Sequence, residues 1–296
     1  LTAFADLFKR LSNWGRWGDD DEAGTLNLID AAAVQRGVAC VRSGQRLTLG
    51  MPLDDQGPQM GFIKGRINPL RTMIAINEPW NDDVVTMGLQ AATHWDALAH
   101  MSYDGTLYNG FPSDTVTAHG ASRCGIDKAP AVVTRGVLLD VARVHGVDRL
   151  QPGAVVSADE LDAAADLASV AIEPGDVVLV RTGQIQLFHQ GDKMGYPFPS
   201  PGLGLGAAEW MYSHDVAAVA TDNLTLEAVP CEIETPFIPV HILHLVAMGL
   251  LQGQNWDLEA LAAACAADGR YTFLLDATPQ PFTGGLGSPV NPVVIR

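Results

Sequence analysis

From Gln90 to His100 the chain reads Gln-Ala-Ala-Thr-His-Trp-Asp-Ala-Leu-Ala-His. If this segment runs extended as far as Asp96, the two-residue period of a strand puts Gln90, Ala92, His94 and Asp96 on one face, so an imidazole and a carboxylate point at the same place. Imidazole nitrogen with carboxylate oxygen suits a divalent cation such as Zn2+ or Mn2+, and two ligands so close in sequence need partners from elsewhere. His241, His244 and Gln254 are candidates. His100 follows a turn four residues beyond Asp96 and is placed to stand beside a cation, as the base for a water, rather than to bind it. Against this stands the plainer reading, in which a His-x-Asp pair on a strand is a hydrogen-bonded pair and nothing more.

Around this segment, Trp95, Tyr103, Tyr108, Phe111 and Trp256 form either an aromatic wall for a flat substrate ring or part of the core. Asp104 either orients His100 or caps the turn Asp104-Gly105. His244, three residues after His241, shares its helical face and is a secondary candidate. Arg181-Thr182, at a strand end, holds either a substrate carboxylate or a pairing within the fold. His119, His145 and His189 lie in polar or glycine-flanked segments and read as surface residues. Serine hydrolase chemistry lacks its G-x-S-x-G elbow, and no cysteine has a catalytic setting. The glycines of 202–206 miss the G-x-G-x-x-G spacing and read as a loop over the site.

The 90–100 segment resembles the H-x-G-T-H-x-D-x-P-x-H motif of the cyclase family, metal-dependent hydrolases that include bacterial kynurenine formamidase and isatin hydrolase. Thr93–His100 is most like the isatin hydrolase branch. Gly175–Gly183, Pro239-Val240-His241, Gln254-Asn255 and Gly287-Ser288-Pro289 are similar to further family landmarks, so the resemblance spans most of the chain. It implies His94, Asp96, His241 and Gln254 as metal ligands and His100 as general acid/base, with Gln90 where the dinuclear members have a histidine. Gln254 stands where the formamidases have a glutamate, so one imidazole and one carboxylate are missing. With Asp96 the only evident carboxylate, the charge of two divalent cations is poorly compensated, which predicts a single ion, Mn2+ or Zn2+. Ala92 and Leu98 replace the motif glycine and proline. The family's fold is implied too: a compact α/β single domain of the swivelling β/β/α type, with mixed sheet and hairpins, assembled as a homodimer or higher homo-oligomer.

Those residues need elements to hold them. In 296 residues with 47% hydrophobic and 18% charged side chains there is apolar surface enough for a sizeable core, and disorder is excluded. Eighteen basic against 34 acidic residues give a net charge of −16, which disfavours nucleic acid and anionic membranes and points to a small-molecule substrate. Four dispersed cysteines show no zinc-ribbon or disulfide pattern, and no apolar stretch approaches a membrane span; a cytoplasmic protein is expected.

Phe4, Leu7, Phe8 and Leu11 recur at helical spacing. Residues 1–45 read as an N-terminal helical extension of the same unit, docking on the body or on a partner subunit, with burial of Phe4, Phe8, Trp14 and Trp17 against a neighbour the favoured reading, and 46–296 as the catalytic domain. Asp30 caps a helix over Asp30–Arg42, and Ser157 with Glu160 forms a capping box for a helix to about Val170. The remaining pattern predicts strands at Val132–Val141, Val177–Arg181, Val216–Thr221 and Tyr271–Asp276. It predicts helices at Ala207–His214, Pro239–Leu251 and, capped by Asp257, Asp257–Cys265. The expected activity is metal-assisted opening of a small cyclic or aromatic amide. A lactone is the alternative bond, and a catalytically silent ligand-binding relative is the non-enzyme alternative.

Overall fold

Four short apolar runs, β3 (Val133–Asp140), β4 (Val177–Arg181), β5 (Ala218–Thr221) and β6 (Leu251–Gln254), pair in parallel at the centre of a nine-stranded sheet. Such strands must be buried on both faces, and their side chains divide accordingly. Leu138, Val177, Leu179, Ala218 and Ala220 enter one core, whereas Val137, Leu139, Val178, Val180 and Val219 enter the other. The computed structural model describes residues 2–76 and 79–296. The remaining strands of the sheet are β1 (Arg46–Thr48), β2 (His94–Asp96), β7 (Thr272–Asp276), β8 (Gly287–Pro289) and β9 (Val293–Ile295). They run in the order β1-β9-β7-β3-β4-β5-β6-β2-β8. Beyond β6 the pairing turns antiparallel: β2 lies between β6 and β8, with Gln252 opposite Asp96 and Gln254 opposite His94.

Local chemistry sets the helices largely as expected. Asp30 accepts from the Ala33 amide and starts Ala31–Ala39. Ser157 and Glu160 close both halves of the capping box before Ala158–Ala168. The last helix is Glu259–Asp268, and Asp257 accepts from the Glu259 amide just ahead of it. Two expectations are corrected.

Pro239–Leu251 is not one helix. A single turn, Pro239–His241, widens into a π-helical stretch, Ile242–Met248, that ends at Gly249 (φ +66°), and Leu251 already belongs to β6. The reason is packing: a Cβ at Gly249 would lie 2.5 Å from the Tyr108 ring, and the Leu250 amide reaches back to the His244 carbonyl to close the wide turn.

Phe4, Phe8 and Leu11, expected against a neighbour, are buried in this chain's own second core. The two phenylalanine rings pack on Tyr103 at 5.6 and 5.0 Å. A cluster of exposed apolar side chains lies on the hairpin Leu70–Ile76/Asn81–Thr86. Among the described residues no helix is long and apolar enough to cross a membrane.

Candidate metal centre and active site

The site forms where the sheet changes from parallel to antiparallel, at the carboxyl end of β6, the kind of crevice in which open α/β sheets bind ligands. Period two in β2 and β6, combined with their register, puts His94, Asp96, Gln252 and Gln254 on one face and Trp95 and Gly253 on the other. All four polar side chains are buried. The strand is pinned just before His94 by Thr93, whose hydroxyl donates to the Asn255 carbonyl and accepts from the Met51 amide.

The proton positions follow from the partners. His94 Nδ1 lies 2.6 Å from the Ala92 carbonyl, so it is the donor there and Nε2 keeps a bare lone pair. That Nε2 lies 3.4 Å from Asp96 Oδ1, and both atoms are buried without a hydrogen-bond partner. His241 repeats the arrangement. Its Nδ1 donates to Glu227 Oε1 at 2.5 Å, leaving Nε2 facing Gln254 at 3.3 Å, while Gln254 Nε2 donates to Asp96 Oδ2 at 2.7 Å.

The orphaned acceptors are therefore His94 Nε2 and Asp96 Oδ1, whereas the Gln254 amide nitrogen stands between Asp96 and His241 Nε2. Orphaned buried acceptors of this kind cost several kcal/mol by order of magnitude, and a cation between them removes that penalty. Among the described residues no three His, Cys, Asp or Glu side chains are grouped closely enough to hold a metal ion. His94 and Asp96 offer two donors to a single divalent ion, and His241 and Gln254 would complete the set only by drawing closer, with the Gln254 amide turned to present its oxygen. Burial alone would raise the Asp96 pKa, but at acid pH, where His100, His94 and His241 carry protons, their charges pull it well below the ordinary carboxylate value.

His100 sits in a short turn, Leu98–His100, with its side chain 22% exposed and Nε2 3.8 Å from Asp96 Oδ1. Burial keeps its imidazole below the usual pKa, with the Asp96 charge pulling the other way, so the ring is neutral and able to take a proton near pH 7. His244 is buried too, and burial pushes its pKa down to about 3. Its Nδ1 lies 3.2 Å from Gln252 Oε1, and the amide of that Gln252 reaches Asp96 at 3.4 Å. His244 thus reaches the site only through Gln252.

Several expected site residues lie elsewhere. The chain turns through 89–93 and becomes a strand only at His94, so the two-residue period does not extend back to Gln90. Gln90 lies against Gly287, where a Cβ would meet its Nε2 at 2.6 Å. Asp104 does not orient His100: it is exposed in a tight Asp-Gly turn (φ +48° and +75°) closed by reciprocal bonds between Tyr103 and Thr106.

The aromatic wall is not built. Trp95 and Trp256 pack edge to face at 4.8 Å in the core behind the strand, with Trp95 donating to the Ala277 carbonyl. Tyr108 is buried with its hydroxyl on Asp21, and Phe111 lies under the Arg123 guanidinium. Arg181 pairs within the fold, with Glu259 and Asp140. Of the 202–206 glycines, Gly202 and Gly204 are buried and Gly206 is partly so: Gly202-Leu203 pairs with Val155-Val156, and Gly204 precedes the helix Leu205–Ser213, which contains Gly206. Of the other histidines, His119 is exposed, His145 pairs with Glu160 and His189 with Asp257.

Sequence reasoning missed Glu227 and Gln252. Glu227 is buried and accepts from His241 Nδ1 and from the amides of His241 and Val240, so it fixes both the ring and the turn that carries it. Its signal was a lone glutamate in an apolar stretch. Gln252 and Gln254 carry the two-residue period of a strand just beyond the expected helix end at Leu251.

The Cyclase family model, described as "Putative cyclase", matches residues 47–228. A novel cyclase of known crystal structure is 32% identical over 96% of this chain and 99% of its own, with a TM-score of 0.89. Isatin hydrolase A from Labrenzia aggregata, solved bound to benzyl benzoate, is 17% identical over 87% of this chain and 94% of its own, with a TM-score of 0.65. A structure described as a predicted metal-dependent hydrolase from Bacillus stearothermophilus is 18% identical over 84% of this chain and 97% of its own, with a TM-score of 0.55. The last two share the fold. No curated protein matches the chain.

Proposed function

The chain belongs to the cyclase family, and on that premise we propose that it is a metal-dependent hydrolase that opens a small cyclic or aromatic amide. The observation that carries the reading is the buried, mutually unsatisfied pair His94 Nε2 and Asp96 Oδ1, with His100 Nε2 3.8 Å from the same carboxylate oxygen. His94, Asp96, His241 and Gln254 would hold one divalent cation, Mn2+ or Zn2+. When bound, such an ion supplies Lewis acidity towards a carbonyl and towards water.

The rest is the work of this chain's residues. His100, neutral and partly open to solvent, takes the proton of the attacking water at Nε2 and returns it to the leaving nitrogen as the C–N bond breaks. Glu227 and the Ala92 carbonyl hold the two ligand imidazoles in the tautomer that keeps Nε2 free. The structural relatives described as an isatin hydrolase and a metal-dependent hydrolase support the reaction class.

A homodimer or higher homo-oligomer belongs to the same proposal. Its support is the hairpin Leu70–Ile76/Asn81–Thr86, whose Leu70, Ile74, Ile76 and Val84 are exposed, because an uncovered two-stranded ribbon is marginal in water. Light scattering that gave a monomer would overturn that part.

Elemental analysis of the purified protein and of His94→Ala tests the site, together with a turnover screen over isatin-like amides, N-formyl aryl amines and lactones. The expected result is one Mn or Zn per chain, lost in the variant, and amide turnover abolished by chelation. Two ions per chain would mean that Gln90 and Gln254 were misjudged. Turnover of lactones alone would replace the amide by an ester bond, and metal without any turnover would leave a ligand-binding relative.

A further inference from the structure

We propose that Asn255 is a positioning residue, which holds the Ala92 carbonyl against His94 Nδ1 and so keeps the His94 proton off the nitrogen that faces Asp96; its use in catalysis rests on the hydrolase reading above. Asn255 follows Gln254 at the end of β6, buried, with its backbone in the left-handed region (φ +59°). Glycine enters that region most easily and asparagine is among the few other residues that do, so the turn is made here by a residue that also brings an amide. That amide bridges two segments far apart in sequence. Its Nδ2 donates to the Ala92 carbonyl at 3.1 Å, and its Oδ1 accepts from the Tyr196 hydroxyl at 2.7 Å. The partners settle which end is which: a carbonyl only accepts, and burial pushes the Tyr196 pKa well above its usual value, so the phenol keeps its proton to donate.

The backbone of Asn255 grips the same stretch. Its carbonyl accepts from the Thr93 hydroxyl at 2.5 Å, and its amide donates to the Asn223 carbonyl at 2.8 Å. Asn255 thus holds both residues of the Ala92-Thr93 peptide, while Tyr196, packed in a small cluster with Met51 and Ala92, holds the far end of the Asn255 side chain. Ala92, Thr93, His94, Tyr196 and Asn255 are all buried.

What this bridge settles is a choice between two tautomers of His94. With the proton on Nδ1, it is donated to the Ala92 carbonyl at 2.6 Å, and Nε2 and Asp96 Oδ1, 3.4 Å apart, are both left orphaned. With the proton on Nε2, those two atoms would close into a hydrogen bond and the pair would satisfy itself, with no lone pair left over from the imidazole for a cation. The second state is blocked because a bare Nδ1 would face the Ala92 oxygen at 2.6 Å, lone pair against lone pair, and Asn255 keeps that oxygen from drawing back. His241 needs no such device, since its Nδ1 meets the charged Glu227 carboxylate, a stronger acceptor than a peptide oxygen.

The test reads the tautomer directly, from long-range proton–nitrogen correlation spectra of metal-free protein carrying isotope-labelled histidine, with the His94 signals identified by their loss in His94→Gln. Wild type should show Nδ1 protonated and Nε2 bare; Nε2 protonated in wild type would overturn the proposal at once. Asn255→Gly keeps the left-handed turn and deletes the bridge, so the His94 proton should move to Nε2 and Zn2+ binding, measured against a chromophoric chelator, should weaken about tenfold. Tyr196→Phe removes one hydroxyl and keeps the packing. It should give a mixture of the two tautomers and about threefold weaker Zn2+ binding, and it decides the question if Asn255→Gly does not fold. A lowered thermal transition with His94 still protonated on Nδ1 in every folded variant would overturn the proposal and leave Asn255 a structural residue, with hydrolysis unaffected. A wild type with the expected tautomer, shifted in the variants, that opens no amide or lactone would overturn the hydrolase reading alone.

Discussion

Replacing Glu227 by Gln tests whether the orientation of His241 is what makes the site. The carboxylate accepts three bonds, from His241 Nδ1 at 2.5 Å, the His241 amide at 3.0 Å and the Val240 amide at 3.2 Å, and it is buried. The amide of Gln has one acceptor oxygen. Placed where Oε1 now lies, that oxygen keeps both bonds to His241 but turns an NH2 group towards the Val240 amide, so two donors face each other. The His241 bond also changes from charge-assisted to neutral, which costs about 1 to 1.5 kcal/mol, and the stranded Val240 donor costs about 1 to 3 kcal/mol more. The first contribution is felt by the ring and corresponds to roughly tenfold in metal affinity, within the range found for groups that orient metal-ligating histidines. The second is felt by the fold. Competition titration of Mn2+ and Zn2+ against a chromophoric chelator, with urea unfolding of the metal-free protein, separates the two. Unchanged affinity in a variant whose unfolding midpoint has fallen would show that Glu227 only supports the turn and that His241 is not held for a metal.

His100→Gln should lower kcat by about a hundred- to ten-thousandfold with metal content unchanged; loss of the metal would make His100 a ligand instead. Because burial lowers the His100 pKa, wild-type kcat/KM should stay flat as pH falls to 6.5 and decline only below it, and a decline centred above 6.5 would contradict the assignment. Asp222, buried beneath the Thr182 and Gly183 amides, is pushed by burial to about 6, against the bonds from Thr182. A folded-state pKa above the unfolded one gives stability that is full below about pH 3.8 and lost as pH rises through about 6, at most about 3 kcal/mol. Urea midpoints between pH 4 and 7 should fall with pH in wild type and be flatter in Asp222→Asn; an equal slope in both would remove Asp222 as the cause. Trp95→Phe should leave KM unchanged and Trp95→Ala should cost about 3 to 5 kcal/mol of stability, because the ring is in the core; a raised KM in Trp95→Phe would restore it to the substrate pocket.

Features decided within a few residues were legible in the sequence. The capping box at Ser157, the Asp30 cap, the strand Val177–Arg181 and the His94/Asp96/His100 spacing depend on neighbours a few positions away, and each appears where its pattern put it. The aromatic residues were not legible, because a tryptophan between a histidine and an aspartate looks the same whether the strand's other face meets substrate or core. Trp95 meets the core because Gly253, directly across the register, leaves room for Trp256.

The sequence by itself determined the chemistry available: an imidazole and a carboxylate in ligand-like spacing, a base four residues on, and a chain too acidic for nucleic acid. Only the tertiary structure decided which of those groups meet. Gln254 is opposite His94 because β2 and β6, more than 150 residues apart, share one register, and Glu227 reaches His241 because the chain returns from β5 through a long loop. Such pairings are fixed by burying both faces of the sheet at once, a condition on the whole molecule that no local window of sequence contains.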